Sequence, residues 1–78
     1  MSDVISVINR FAGHEFLVRR LYVTDPEFRI VCDDYAVALR ASEVWANDET
    51  RSEDYLNLVR ELEEEIFQFI GRKHPATR

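Results

Sequence analysis

The sequence has little of what usually crosslinks a very small domain. Cys32 is the one cysteine among 78 residues, so no internal disulfide can form. The two histidines, His14 and His74, are distant in sequence and form no cluster with Cys32 of the kind that binds structural zinc. A chain of this length buries only about 60% of the surface that its unfolded form exposes. Oligomerisation is the remaining source of stability, and we expect it here.

Positive charge is also scarce. Ten lysines and arginines stand against fifteen aspartates and glutamates, which gives a formal net charge of −5. Nucleic-acid binders normally carry a basic face, and anionic membranes attract basic segments, so neither partner is expected. No apolar run approaches the roughly 20 residues of a transmembrane helix. The first ten residues lack the basic start and apolar core of a signal peptide, and we expect a cytoplasmic protein.

With two glycines and two prolines, the chain has few helix breakers. The strongest helix start lies at Asp25, a capping residue that is followed by Pro26 and Glu27. Thr24 with Glu27 also matches a capping box, so the cap is Asp25 or Thr24. The helix is expected over residues 26–46. Its main apolar stripe is Phe28, Cys32, Tyr35, Leu39, Ser42 and Ala46, with Val31, Ala38 and Trp45 along one border.

A second apolar stripe lies roughly opposite the first at 3.6 residues per turn. It consists of Ile30, Val37, Ala41 and Val44. Arg29, Asp33 and Arg40 separate the two stripes on one side, and Glu27 and Asp34 separate them on the other. A helix that is apolar on two faces needs two partners, so the other segments should pack around it.

Two more helical segments flank the central one. The first is expected over residues 3–23, with Ser2 as its cap and a kink at Gly13, where the apolar phase changes. Its first half has the stripe Val4, Ile5, Ile8, Phe11 and Ala12. The closing helix is expected over residues 53–71 after an exposed loop, with Ser52 as its cap, Gly71 as its end and a tail over residues 72–78. Its stripe is Tyr55, Leu58, Val59, Leu62, Ile66, Phe69 and Ile70.

These elements predict a single all-α domain over residues 1–78. The short loop implies an antiparallel helical hairpin, and the kinked N-terminal segment should pack across it, as in a three-helix bundle. The predicted hairpin core is Phe28, Cys32, Tyr35, Leu39, Val59, Leu62 and Ile66.

The residues that could carry chemistry have simpler structural interpretations. Asp33 and Asp34 point about 100° apart on a helix, so they cannot readily share one cation. Cys32 has acidic neighbours inside an apolar stripe, which favours an inert thiol. The acidic run Glu61–Glu65 is typical of a solvated helix face, with a docking surface for a basic partner as the alternative. No nucleophile, base and orienting group can be combined, so we expect neither an enzyme nor a cofactor.

The layout from residue 25 to residue 71 resembles the YdcH-like family of small bacterial proteins, which form a helical hairpin of no established activity. The matching residues are Asp25, Phe28, Tyr35, Leu39, Leu58, Leu62, Glu65 and Ile66. The family's closing helix is rich in lysine, whereas this one is acidic, and residues 1–23 have no clear counterpart. The resemblance implies a hairpin with an interaction role and supplies no catalytic residue.

Two functional hypotheses follow from different classes. The first is a non-enzymatic interaction protein that forms a homodimer, or binds another protein, through apolar helix faces. The closing helix can cover only one stripe of the central helix, and a kinked segment cannot cover the whole of the other, so some apolar surface should stay open. The predicted interface is Ile30, Val37, Ala41, Val44 and Trp45. The alternative is a small ligand- or metal-responsive regulator that uses His14 and Cys32.

Overall fold

The computed structural model describes residues 4–73, and the side chains of residues 4–72. The described residues form four α-helices: α1 (Val4–Arg10), α2 (Glu15–Thr24), α3 (Pro26–Val44) and α4 (Glu49–Lys73). A 3-10 turn, Ala12–His14, separates α1 from α2. The predicted all-α fold is confirmed. Neither α3 nor α4, the two helices of 18 or more residues, is apolar enough to cross a membrane.

The central hairpin is formed by α3 and α4. Phe28 packs edge-to-face on Phe69, with ring centroids 5.4 Å apart. About two turns further along α3, the Tyr35 hydroxyl donates a hydrogen bond to Glu63, which precedes Phe69 on α4. Partners whose numbers rise on one helix as they fall on the other show that the two helices run antiparallel, as expected. Both α1 and α2 also pack against α3.

The start of α3 is fixed by Asp25. Its backbone is extended, and its carboxylate accepts hydrogen bonds from the backbone N–H groups of Glu27 and Phe28 at 3.0 and 3.2 Å. Pro26 occupies the first helical position, where its missing N–H would have no helical partner. Asp25 is therefore the cap. Thr24 instead ends α2, where its hydroxyl donates to the carbonyl of Arg20 at 2.8 Å.

The predicted kink near Gly13 is confirmed as a break over residues 11–14, where Phe11 leaves the helical region and the 3-10 turn follows. The predicted stripe of the first half was partly wrong. Ile5 is 43% exposed, whereas Val7 is completely buried beside Val4 and Ile8. Positions 4, 7 and 8 also follow helical spacing, and packing on α3 selects that face. The predicted cap Ser2 lies outside the described residues.

The connection between α3 and α4 is shorter than predicted. We expected α3 to reach residue 46 and Ser52 to start the last helix, but α3 ends at Val44 and α4 begins at Glu49. Asp48 is the residue that starts α4: its carboxylate accepts from the N–H of Arg51 at 3.1 Å. Ala46 is exposed in the turn and does not extend the stripe. The first turn of α4 is polar all round, so apolar spacing could not reveal it.

The end of α4 also differs from the prediction. Gly71 was expected to terminate the helix, but α4 continues through it to Lys73, so the tail predicted from residue 72 begins too early. Glycine lowers helix stability without forbidding a helix, so a single Gly71 near the end is tolerated. Residues 74–78, including His74, lie outside the described part of the chain.

The core agrees closely with the predicted hairpin core. Six of the seven predicted residues are buried, and Leu39 is half-buried against them. In the stripe of α4, Leu58 is the exception at 41% exposed, because it lies at the edge of the face that meets α3. The remaining buried hydrophobic side chains are Val4, Val7, Ile8, Val18, Leu21, Val31, Ala36, Ala38, Phe69 and Ile70.

The mutation Leu62→Ala should destabilise the protein by about 2–5 kcal/mol, because it removes a buried side chain and leaves a cavity. Leu62 is only 8% exposed. The matched control is Leu56→Ala on the same helix, where the leucine is 47% exposed and the loss should be smaller. Urea denaturation measures both. A cost below about 1 kcal/mol for Leu62→Ala would show that the assigned facing of α4 is wrong.

Candidate functional site

An uncovered apolar face runs along the outside of α3. Ile30, Val37 and Val44 are 59%, 60% and 69% exposed, and Ala41 is half-buried between the last two. The three large residues recur every seven positions, so they lie within about 20° of one another per heptad and form one line. The line spans about 21 Å of helix at 1.5 Å per residue. We call these four residues the outer face of α3.

The buried residues of α3 lie on the opposite side of the helix. They are Phe28, Val31, Cys32, Tyr35, Ala36, Ala38 and Ser42. We expected the N-terminal segment to cover part of the second stripe and to leave some apolar surface open. Apolar surface is left open, as expected, but Ile30, Val37 and Val44 are all exposed, so the expected partial cover was wrong. The segments α1, α2 and α4 all pack against α3 while the second stripe stays uncovered. The buried arc of α3 includes the border residues Val31 and Ala38 but not the outer face.

Charged side chains border the outer face. Asp33 is half-buried and its Oδ1 accepts a hydrogen bond from the Tyr22 hydroxyl at 2.9 Å. Arg29 is held on the same edge: its Nε donates to the Tyr22 carbonyl at 3.0 Å, and its guanidinium lies 5.4 Å from the centre of the Tyr22 ring. Arg40 and Asp34 are exposed. Asp33 is thus a bonded residue that links α3 to α2, whereas Asp34, on the other border, is exposed.

Trp45 lies apart from the other predicted interface residues. It follows the last residue of α3, is 38% exposed and has the Arg51 guanidinium 4.2 Å above its ring. It lines a shallow groove with residues of the first turns of α4, including Tyr55 and Leu58. The structure therefore brings together Ile30, Val37, Ala41 and Val44, while Trp45 belongs to the hairpin end.

The residues of the alternative hypothesis lie in different environments. Cys32 is completely buried in the core and forms no disulfide, and His14 is half-buried at the end of the 3-10 turn. Within residues 4–73, no group of three or more His, Cys, Asp or Glu side chains is arranged to hold a metal ion.

Sequence reasoning missed a polar junction between α1, α3 and α4. The Oε2 atom of Glu63 accepts a hydrogen bond from the Tyr35 hydroxyl at 2.8 Å. The same oxygen forms an ion pair with Arg10, whose Nε lies 3.1 Å away. The pKa of Tyr35 is raised well above its usual value, mainly by burial and also by the hydrogen bond and the negative charge of Glu63. The positive charge of Arg10 lowers this pKa in part. Glu63 therefore faces inward, whereas Glu61, Glu64 and Glu65 are exposed. The predicted acidic face is thus interrupted at its third position.

Comparison with known protein families, with curated proteins and with solved structures found no match to this chain. The resemblance to the YdcH-like hairpin proteins therefore stays a prediction from residues 25–71.

Cys32 should react slowly with thiol reagents in the folded protein. Its side chain is completely buried, so a reagent can reach it only after local or global opening. Labelling kinetics at neutral pH measure this, with the urea-unfolded chain as the fully reactive control. Rapid modification of the folded protein would contradict a purely structural thiol.

Tyr35 should make folding stability dependent on alkaline pH. The folded protein keeps the Tyr35 proton to higher pH than the unfolded chain, whose tyrosines titrate near about 10. The stabilisation is therefore complete below about pH 10 and is lost as the pH rises further. Urea denaturation across this range should show a steeper fall for the wild type than for Tyr35→Phe.

The same Tyr35→Phe variant should lower the free energy of unfolding by about 1.5 kcal/mol at neutral pH, because it removes a hydrogen bond to a charged partner. The loss should not be larger, since water can reach the part-exposed Glu63 in place of the hydroxyl. Tyr55→Phe is the control, since no hydrogen bond of its hydroxyl to another described residue is seen. An unchanged alkaline profile in Tyr35→Phe would contradict the assigned role of Tyr35.

Proposed function

We propose that the protein is a non-enzymatic interaction protein that forms a homodimer through the outer face of α3. One observation carries the proposal. Ile30, Val37 and Val44 are each more than half exposed and form a single line on the side of α3 that none of the other helices within residues 4–73 covers.

The arrangement of these side chains favours an interface over chance exposure. Single exposed hydrophobic residues are common on protein surfaces and need no explanation. A line of apolar residues bordered by charges on both edges is instead the pattern by which helices pack on one another. Because the line is nearly straight and has the small residue Ala41 between Val37 and Val44, a second copy of α3 can approach it closely.

A second copy of the same chain is the partner that fits this face best. Two-fold symmetry lets one apolar line meet an identical line, and it is the commonest way to close such a surface. The small size of the domain supports this choice, since association adds the buried apolar area that 78 residues lack. Four side chains form a small interface, so the dimer should dissociate on dilution.

The other parts of the proposal rest on the sequence. The excess of acidic residues favours a protein partner over nucleic acid or an anionic membrane, and we assign the protein to the cytoplasm. Another protein that presents an apolar helix is the alternative occupant of the face. A metal-responsive regulator built on His14 and Cys32 would need a third ligand, and no observation in the described part of the chain favours one.

Sedimentation equilibrium tests the proposal. The wild type should reach twice its mass of 9.2 kDa as its concentration rises, and Val37→Glu should remain monomeric because it places charges at the centre of the interface. Val23→Glu is the matched control: this valine is 70% exposed but lies on α2, so the variant should still dimerise.

Two results would contradict the proposal. A wild type whose mass stays at 9.2 kDa up to about 1 mM would exclude a dimer with a dissociation constant below that concentration. A dimer that Val37→Glu leaves intact would place the interface elsewhere, with Trp45 and Phe67 as the next exposed anchors.

A further inference from the structure

We infer that the two copies of α3 pack antiparallel, and that Asp33 of each protomer pairs with the partner's Arg40. This inference rests on the proposed dimer and specifies how its subunits are oriented. It follows from where the apolar and charged residues lie along the outer face and from which of the charged groups are already bonded within the protomer.

The apolar line is symmetric about Val37. Ile30 precedes Val37 by seven residues and Val44 follows it by seven. If a two-fold axis passes beside Val37, perpendicular to the helix, Val37 meets the partner's Val37 and Ile30 meets the partner's Val44. Each large side chain of the line therefore has an apolar partner, and none faces a charge.

The charges on one edge of the face have the same symmetry. In an antiparallel pair of helices, like edges meet, so the edge that carries Asp33 and Arg40 meets its own copy. With the axis at Val37, position 33 lies opposite position 41 of the partner. Arg40 is one residue, or about 1.5 Å of rise, from that position. The antiparallel arrangement thus places an opposite charge beside each Asp33 and each Arg40.

A parallel arrangement would pair different residues. Opposite edges then meet, and Arg29 would have to reach the partner's Asp34. Arg29, however, is already held by the Tyr22 carbonyl at 3.0 Å and lies against the Tyr22 ring. Arg40 is exposed, and no ion pair or hydrogen bond joins its side chain to another residue of the described part of the chain. Because Arg29 is already bonded within the protomer and Arg40 is not bonded to another described residue, the ion pair between Asp33 and the partner's Arg40, and with it the antiparallel arrangement, is favoured.

Asp33 is well placed to receive that arginine. The Tyr22 hydroxyl holds Oδ1 at 2.9 Å, which fixes the carboxylate at the edge of the face. A carboxylate has about four acceptor positions, so Oδ2 can accept a second donor. Exposed ion pairs add little affinity but discriminate strongly between arrangements, because the wrong arrangement brings like charges together. The pair therefore determines orientation more than strength.

Charge-reversal variants test the pairing. Arg40→Glu places two glutamates beside two copies of Asp33, and Asp33→Lys places two lysines beside two copies of Arg40, so each variant alone should dimerise roughly tenfold more weakly or worse. An equimolar mixture should recover dimerisation, because both pairs in the mixed dimer are then of opposite charge. Circular dichroism checks that each variant is folded. If the mixture dimerises no better than the separate variants, the Asp33–Arg40 pairing is wrong.

Disulfide crosslinking tests the orientation without changing charge. Under oxidation, Ile30→Cys and Val44→Cys should each crosslink poorly alone and efficiently when mixed, since position 30 meets position 44 only in the antiparallel dimer. Val37→Cys should crosslink to itself, and the wild type controls for the buried Cys32. Efficient self-crosslinking of Ile30→Cys would show a parallel dimer and overturn the inference, while the proposed function would stand. A wild type that never exceeds 9.2 kDa would overturn both.

Discussion

The structure depends on the burial of one arc of α3. Each of α1, α2 and α4 packs against this helix, and Phe28 and Cys32 have no exposed surface at all. The buried side chains share one side of the helix, and the described helices α1, α2 and α4 leave the apolar residues on its other side exposed. The uncovered line of Ile30, Val37 and Val44 is therefore a direct consequence of how the core is built.

Two tyrosine–carboxylate hydrogen bonds hold α4 and α2 in register with α3. Tyr35 donates to Glu63 and so fixes α4, while Tyr22 donates to Asp33 and so fixes α2. Both bonds satisfy a polar atom at the margin of an apolar core, where an unpaired hydroxyl would be costly. They also show that some of the acidic residues of this chain serve its internal structure, including Glu63, which the sequence predicts to lie on a solvated face.

The amount that could be predicted differs between local and long-range features. Apolar spacing predicts the core residues Phe28 and Ile66 and also the second stripe of α3, and Asp25 indicates where that helix starts. The start of α4 at Glu49 was missed, because a polar first turn has no period. The role of Glu63 was missed for a different reason. It depends on which residue of α3 lies opposite, and the pairing of two helices cannot be obtained from either helix alone.

The break at Phe11–His14 separates α1 from the rest of the N-terminal segment, so α1 should be able to open by itself. A helix of seven residues is too short to persist by itself in water, so α1 is helical only while it is docked. Its docking depends on three buried side chains and the Arg10–Glu63 ion pair, and its release does not require α2 to unwind. The amides of α1 should therefore exchange with solvent deuterium through local undocking, before those of the middle of α3, whose side chains form the core.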